Sequence, residues 1–582
     1  MQLSKGIKIL LALFVSWTLL VQGAPVITTT SSDKSGNLGH IPEKALVVLH
    51  MKSFPETIAQ FKNSFLYRTF LDYQETDVFK NICSGNPELA VTINMVKSMF
   101  EELPKAFTGE FTFGLTPDDM SALFIIEGDE KEFRRVVENV FAPVVKEFGE
   151  SDLIFAKIGD TNKISFDNSD EGLFYRIEGS RMVFALKDDS FGVLKDGKPL
   201  PQNQLFKDTM NKQNVSPDSL LFINLREIYK MTGVNEEQKG FLKATGISEI
   251  EGIALSSTYR EKGVNEKATI YATKGLSGAL GLLNRSGSEP TIEKYIPEGF
   301  AVAARLSVGN LNELYKDFIK IMSKDEENAG DLVREINSVL QDIQEEYGIS
   351  VEKDLLPALG GEFGVGMESP DNPLSFAAFA EVKDKKKIEE LIKTLEKSGI
   401  TFTAKEYKGV NIYSMDGGII RPAYAFLDNY VVLSAASSIL EEIVDVKAGA
   451  KSILEKKDYK NAFADMPKKS TISVYADMEK ILPYLAQRLF YIPLRNNEDA
   501  DSRDTIRVLL STLQKNTKGI QGEALTVTAD KNSIYIERSS SMAAFDLILP
   551  VFMSFHIVMR AVIMMPAGAM PIDHVDMIPV DE

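Results

Sequence analysis

Two glutamates in matching settings are the residues best suited to chemistry. Glu110 and Glu362 each stand between a glycine and a phenylalanine, in "FTGEFTFGL" and "LGGEFGVGM". A pair of equivalent carboxylates flanking one groove could serve as general acid and base, or hold a cation. Alternation along a strand instead puts each glutamate on the solvent face, opposite the phenylalanines that point to the core, and that placement is expected. A second acidic group, Glu498, Asp499, Asp501 and Asp504 in "RNNEDADSRD", offers the oxygen donors calcium needs. It lacks the spacing and the glycine of an EF-hand loop, so a solvated loop is the expectation.

The remaining chemistry is sparse. His40, His50, His556 and His574 are the only histidines and show no paired-ligand spacing. No G-x-S-x-G elbow or Walker sequence is present. The glycine-rich "LLPALGGEFGVGM" at 355–367 suggests a phosphate cradle, but such a cradle needs strand, glycine turn and then helix. Here the order is helix, proline, glycine, strand, and the first-half equivalent has Thr112 and Phe113 where a cradle would need glycine. Gly364 and Gly366 instead leave one strand face bare for close approach by another element. No cofactor is implied. Asn224 and Asp477, at strand-to-helix junctions, read as helix caps.

The elements that position these residues sit in a chain of 582 residues with ordinary globular composition, 44% hydrophobic and 25% charged. Lys5 and Lys8, an apolar run and small residues at "VQGAP" predict a secretory signal peptide over 1–23, cut after Gly23. Pro25 disfavours a cut after Ala24, and no cysteine stands there for lipidation. Cys83 is the only cysteine, so no internal disulfide forms, and a small buried hydrophobe is expected there. The net charge of −18 repels nucleic acid and anionic headgroups, so no nucleic-acid partner is expected.

The sequence repeats itself at a nearly fixed spacing. "IPEKALVVLHMKSF" at 41 returns as "IPEGFAVAARLSVG" at 296, and "LPKAFTGEFTFGL" at 103 as "LPALGGEFGVGM" at 356. "GDEKEFRRVVENV" at 128 answers "KDKKKIEELIKTL" at 383, and "FINLREI" at 222 answers "YADMEKI" at 475. The spacing stays between 252 and 255, then widens to about 270 at "GIALSSTY" and "EALTVTAD", which places an insertion between Ile481 and Gly519 in the second copy. Short alternating strands joined by turns such as Asp428-Asn429, with single amphipathic helices between them, predict an α+β fold. Two tandem repeats are expected, each a mostly antiparallel sheet with helices on one face. The boundaries are a polar linker at 24–39, repeat 1 at 40–274, a connecting helix and linker at 275–294, repeat 2 at 295–540, and a hydrophobic tail at 541–582.

Between Asp546 and Arg560 the tail carries the uncharged "LILPVFMSFHIVM", short for a membrane span of ~20 apolar residues. Packing on the second sheet is the first expectation, and membrane contact through 543–570 the second. In the Ile-Pro-x opening, "LLPALGGEFGVGM", the step Tyr407, Gly409, Ile412 and "DYKNAFADMPKKSTISVYADMEKIL", the chain resembles a bacterial exported family known only as domain of unknown function 3352. The resemblance covers most of residues 40–540 and implies an exported two-copy protein, with no activity attached. The expected function is a non-enzymatic binding or scaffolding module in the periplasm, cell envelope or exterior, its partner an unidentified envelope protein or ligand. The alternative is a secreted hydrolase using acidic residues in a groove between the repeats.

Overall fold

A computed structural model describes residues 36–541 apart from 86, 118–120, 144–152, 167–171, 186–187, 189, 192–197, 212, 214–216, 233–241, 244, 261–262, 285–286, 324–329, 373, 398–400, 416–420 and 492–499. The signal-peptide segment, the tail from Met542, and Glu498 and Asp499 therefore lie outside the described residues.

Period-two apolar patterning gives ten strands in the first half: β1 (Val47–Met51), β2 (Phe107–Leu115), β3 (Ala122–Gly128), β4 (Leu153–Ile158), β5 (Thr161–Phe166), β6 (Leu173–Glu178), β7 (Arg181–Ala185), β8 (Ser219–Asn224), β9 (Gly252–Arg260) and β10 (Gly263–Tyr271). All neighbours are antiparallel, in the order β4-β5-β6-β7-β3-β2-β1-β8-β9-β10. Ten more follow: β11 (Val302–Ser307), β12 (Leu359–Met367), β13 (Phe376–Val382), β14 (Phe402–Tyr407), β15 (Val410–Met415), β16 (Ala423–Leu427), β17 (Tyr430–Ser434), β18 (Ile472–Ala476), β19 (Glu523–Ala529) and β20 (Ser533–Ser540). Their order is β14-β15-β16-β17-β13-β12-β11-β18-β19-β20, the same course strand for strand. Asp428, with φ of 49°, makes the β16–β17 turn that the sequence predicts.

Strands β10 and β20 pair with each other, so all twenty form one sheet. The register at this junction is reciprocal. Val264 faces Ser540, Ile270 faces Ile534, and Lys267 faces Glu537 at the centre. Thr269 and Ser539 hold the same place against β9 and β19, opposite Ala254 and Ala524, so Lys267 and Glu537 are counterparts too. Lys267 Nζ lies 3.2 Å from Glu537 Oε1, and Arg538 Nη1 lies 2.5 Å from Glu266 Oε2. A groove between the halves was expected, and paired strands occupy the place instead.

Helices α1 (Phe54–Asn63), α2 (Phe65–Gln74), α3 (Asp77–Gly85) and α4 (Pro87–Ala106) fill the β1–β2 connection, and α5 (Glu130–Val136) follows β3. Their Phe54, Ile58, Tyr67, Phe100 and Phe133 pack on Met51, Phe111, Phe124 and Phe184 of the sheet. The opposite face carries Val48, Ile125 and Phe222, covered by Ile41 of the leader (residues 36–46) and by Leu205 and Phe206 of α6 (Gln204–Asn211). Helices on one face were expected. The first half covers both, because β3 is apolar on both sides, with Leu123, Phe124, Ile125 and Ile126 all at or below 1% exposure.

The second half adds α7 (Leu311–Met322), α8 (Gly330–Tyr347), α9 (Lys385–Lys397), α10 (Ser437–Lys447), α11 (Lys457–Ala462), α12 (Met478–Tyr491) and α13 (Ala500–Asn516). Ile439, Leu440, Ile443 and Val444 of α10 join Ile292 of the connector, and Ile296 and Phe300 just before β11, over Ala377, Phe379, Ala425 and Val432. The acidic run that was expected to be a solvated loop enters α13, and Asp501 and Asp504 fall in that helix. This helix meets α2, where Lys515 Nζ and Asn516 Nδ2 lie 2.9 and 3.0 Å from Asp72 Oδ2. Among the described residues, no helix is long and apolar enough to cross a membrane. Among them too, no three His, Cys, Asp or Glu side chains gather as a metal site.

Candidate functional site

The Gly-Glu-Phe segments sit on β-bulges at the same place in both halves. Register shifts between Phe107 and Phe111 against β3, and between Leu359 and Phe363 against β13. A bulge leaves backbone groups unpaired, and a carboxylate from the neighbouring strand takes them. Glu381 Oε2 accepts from the Gly361 N–H at 2.9 Å, and Glu127 Oε2 from the Glu110 N–H at 3.4 Å. The approach needs glycine, since a Cβ at Gly109 or Gly360 would stand 2.1 Å from the Glu127 or Glu381 oxygen. Sequence reasoning missed Glu127 and Glu381. The recurring acid at the end of "ALFIIEG" and "SFAAFAEV" was the available signal.

The alternation argument placed Glu110 and Glu362 correctly, opposite the phenylalanines, but that face is not open to solvent. The leader and the connector lie across it. Glu110 is half-buried and its Oε2 accepts from the Asn37 N–H at 2.7 Å, while Asn37 Nδ2 donates to the Glu110 carbonyl at 3.2 Å. Glu362 is only 7% exposed, which corrects the solvent-facing expectation. Its Oε1 accepts from Ser288 Oγ at 2.5 Å and its Oε2 accepts from the Tyr430 hydroxyl.

Arg305 on β11 completes this cluster. Its Nε donates to Glu293 Oε1 at 3.0 Å, Nη1 to Ser288 Oγ at 2.5 Å and Nη2 to Ser470 Oγ at 3.2 Å. Glu362 Oε1 lies 3.7 Å from Nη1. Glu293 also accepts from Ser473 Oγ at 3.0 Å and from the Thr291 N–H at 3.1 Å. Arg305 has room because Gly364 stands opposite it in the register, and Ile292 presses on the bare glycine, 2.8 Å from where a Cβ would be. A buried guanidinium between two carboxylates, with hydroxyls on the remaining hydrogens, is the geometry that makes a buried charge tolerable. It latches the connector to the sheet. Desolvation, then the Glu362 carboxylate, raises the Tyr430 hydroxyl well above its usual range, so it stays a donor.

The first half uses a different group at the same register place. His50 faces Thr112, with Nδ1 and Oγ1 2.9 Å apart. Burial, with Lys52 adding to it, lowers the imidazole to about 4. The neutral ring is thus the form present near pH 7.

The two glutamates do not meet. β2 and β12 are nine strand steps apart along the sheet, on the order of 40 Å at ~4.8 Å per step. No shared groove brings Glu110 and Glu362 together as an acid–base pair. Asn224 does cap a helix, α-helical from Leu225 to Thr232, with Oδ1 accepting from the Glu227 N–H at 3.2 Å. Asp477 also stands at the start of a helix, its carbonyl accepting from the Ile481 N–H at 3.0 Å, while its Oδ2 accepts from Lys456 Nζ at 2.7 Å. Cys83 is half-buried rather than fully buried, and desolvation raises its thiol.

A family model described as "Protein of unknown function (DUF3352)" matches residues 193–401 and 375–545, more than half of the chain. No curated protein matches the chain. Solved structures similar to it are crystal forms IV, III and I of TP0453, at 12%, 10% and 11% identity. They cover 40%, 42% and 43% of this chain and 79%, 81% and 82% of their own, with TM-scores of 0.22, 0.23 and 0.22. At these scores the likeness carries no argument.

Proposed function

This chain belongs to the DUF3352 family of proteins of unknown function, and from that premise we propose that it is an exported, non-enzymatic binding or scaffolding module of the cell envelope. We read its halves as two copies of one ancestral unit. The matching strand order, the matching bulges and the spaced sequence echoes support that reading. The observation that carries the proposal is the use made of the acids. Glu362 and Glu293 are spent on a buried Arg305, and Glu110 is bonded to the leader, so the carboxylates with the best motif hold segments together. Export is supported by residues 1–23, whose basic head and apolar run have the pattern of a signal peptide.

Two measurements test this. Fractionation with N-terminal sequencing is expected to find the mature chain, beginning at Ala24, outside the cytoplasm; an unprocessed cytoplasmic chain rejects export. Glu110→Gln and Glu362→Gln are expected to lower melting temperature, with function lost only as folded protein is lost. Full stability with abolished function in either variant would favour the hydrolase.

A further inference from the structure

One face of the second half lacks the cover its first-half counterpart has. Met51 and Phe184 are fully buried beneath α1–α5, whereas Leu306 and Leu433, at the same register places, are 37% and 51% exposed. Val365, the counterpart of Phe113, is 39% exposed. The residues between them are also smaller. Leu49, Phe124 and Ile126 have as counterparts Ala304, Ala378 and Ala380, all half-buried. The result is a shallow apolar trough with leucine and valine rims. α7 does not fill it: its Phe318 and Ile321 pack with Val333 of α8 as a separate small cluster.

We propose that this trough is the seat of the chain's own C-terminal segment, residues 547–559. Three observations select that occupant over another molecule. β20 ends at Ser540, one residue past the row that runs through Ser539, Ala524, Tyr475, Ala303, Gly366, Ala377 and Ser434 and borders the trough. From β20 to β11 is three strand steps, about 14 Å, and the five residues 542–546 extend to about 17 Å, so Leu547 reaches the rim. Thirteen uncharged residues are long enough to cross the about 19 Å spanned by β18, β11, β12, β13 and β17. Small residues at the centre of a face let a packed element approach closely.

The test uses the full-length chain with Cys83→Ser and one new cysteine. Leu433→Cys probes the trough, and Ile158→Cys on the far edge strand β4 is the reference, because the two positions are 51% and 50% exposed. Maleimide labelling at position 433 is expected to be at least about tenfold slower than at 158, as for a docked state about ten times more populated than the open one. Adding Phe552→Asp with Ile557→Asp is expected to bring the rate at 433 up to that at 158. The rate at 158, unchanged between the two backgrounds, reports that the sheet remains folded. Equal rates at 433 and 158 with the tail intact would overturn the proposal. So would a slow rate at 433 that survives the tail substitutions, which assigns the cover to α7 and α8 or to a second copy. Protection that develops only when phosphatidylglycerol vesicles are added would also overturn it, giving the trough to lipid.

Discussion

Reversing one charge at the sheet junction, by Lys267→Glu, makes the sharpest demand on the fold. Lys267 and Glu537 are register counterparts that face each other across β10 and β20, 3.2 Å apart, with side chains 23% and 21% exposed. A partly solvated cross-strand ion pair contributes about 0.2–1 kcal/mol, and like charges placed directly opposite cost a similar amount. Reversal removes the first and adds the second, so the junction loses about 0.4–2 kcal/mol, or about 2- to 30-fold in the opening equilibrium. Amide hydrogen exchange over 264–271 and 533–540 reads this directly, since every second amide of each strand bonds across the junction and is released when the two strands separate. The double variant Lys267→Glu with Glu537→Lys restores the attraction with its sign exchanged and should recover most of the protection. Unchanged exchange in the single variant, or no recovery in the double, would refute the reasoning. The same arrangement discriminates against wrong pairings. Joining two first halves would set Lys267 against Lys267 and leave Glu266 without Arg538, while two second halves would oppose Glu537 with Glu537.

Three further outcomes follow from the interior. His50 is lowered to about 4 from 6.5, so the unfolded chain takes up the proton first; stability is complete above pH 6.5 and falls as pH drops from 6.5 towards 4. The contribution is on the order of 3 kcal/mol, and denaturation midpoints of His50→Gln should lose that part of the pH slope. Arg305→Leu strands Glu293 and Glu362 in the interior, for an expected loss of about 3–5 kcal/mol by chemical denaturation. Gly364→Ala puts a methyl 2.8 Å from Ile292 Cγ2, and overpacking of that kind costs about 1–3 kcal/mol, visible as a lower melting temperature.

Local pattern carried much of this fold. Period-two runs such as "AYAFLDNYVVLS" declare strand, turn and strand, and the recurrence of Ile-Pro and Gly-Glu-Phe marks corresponding places in the two halves. Alternation also put Glu110 and Glu362 on the correct side of their strands. What covers that side was not legible, because the leader and connector reach it through scattered contacts, such as Asn37 to Glu110 and Ile292 to Gly364, that have no periodicity. Arg305 carries no motif in the sequence, and only the fold brings Glu293 and Ser470 to it. The helix α13 was hidden by the acids of "NNEDADSRD", which read as a loop although "TIRVLLSTLQ" after them has helical spacing. The open trough was equally obscure, since alanine in place of Phe124 and Ile126 is still apolar in a strand pattern.

The continuity of the sheet through β10 and β20 is the claim on which the rest stands, and disulfide trapping measures it most directly. In full-length protein carrying Cys83→Ser, the pairs Ala268→Cys with Ile536→Cys and Thr269→Cys with Tyr535→Cys are both in register. Adjacent registered pairs alternate between wide and close spacing, so one of the two should close within a single chain under mild oxidation, while Ala268→Cys with Ile534→Cys, two residues out of register, should not. Failure of both registered pairs, or equal closure of the offset pair, would contradict a single sheet joining the halves.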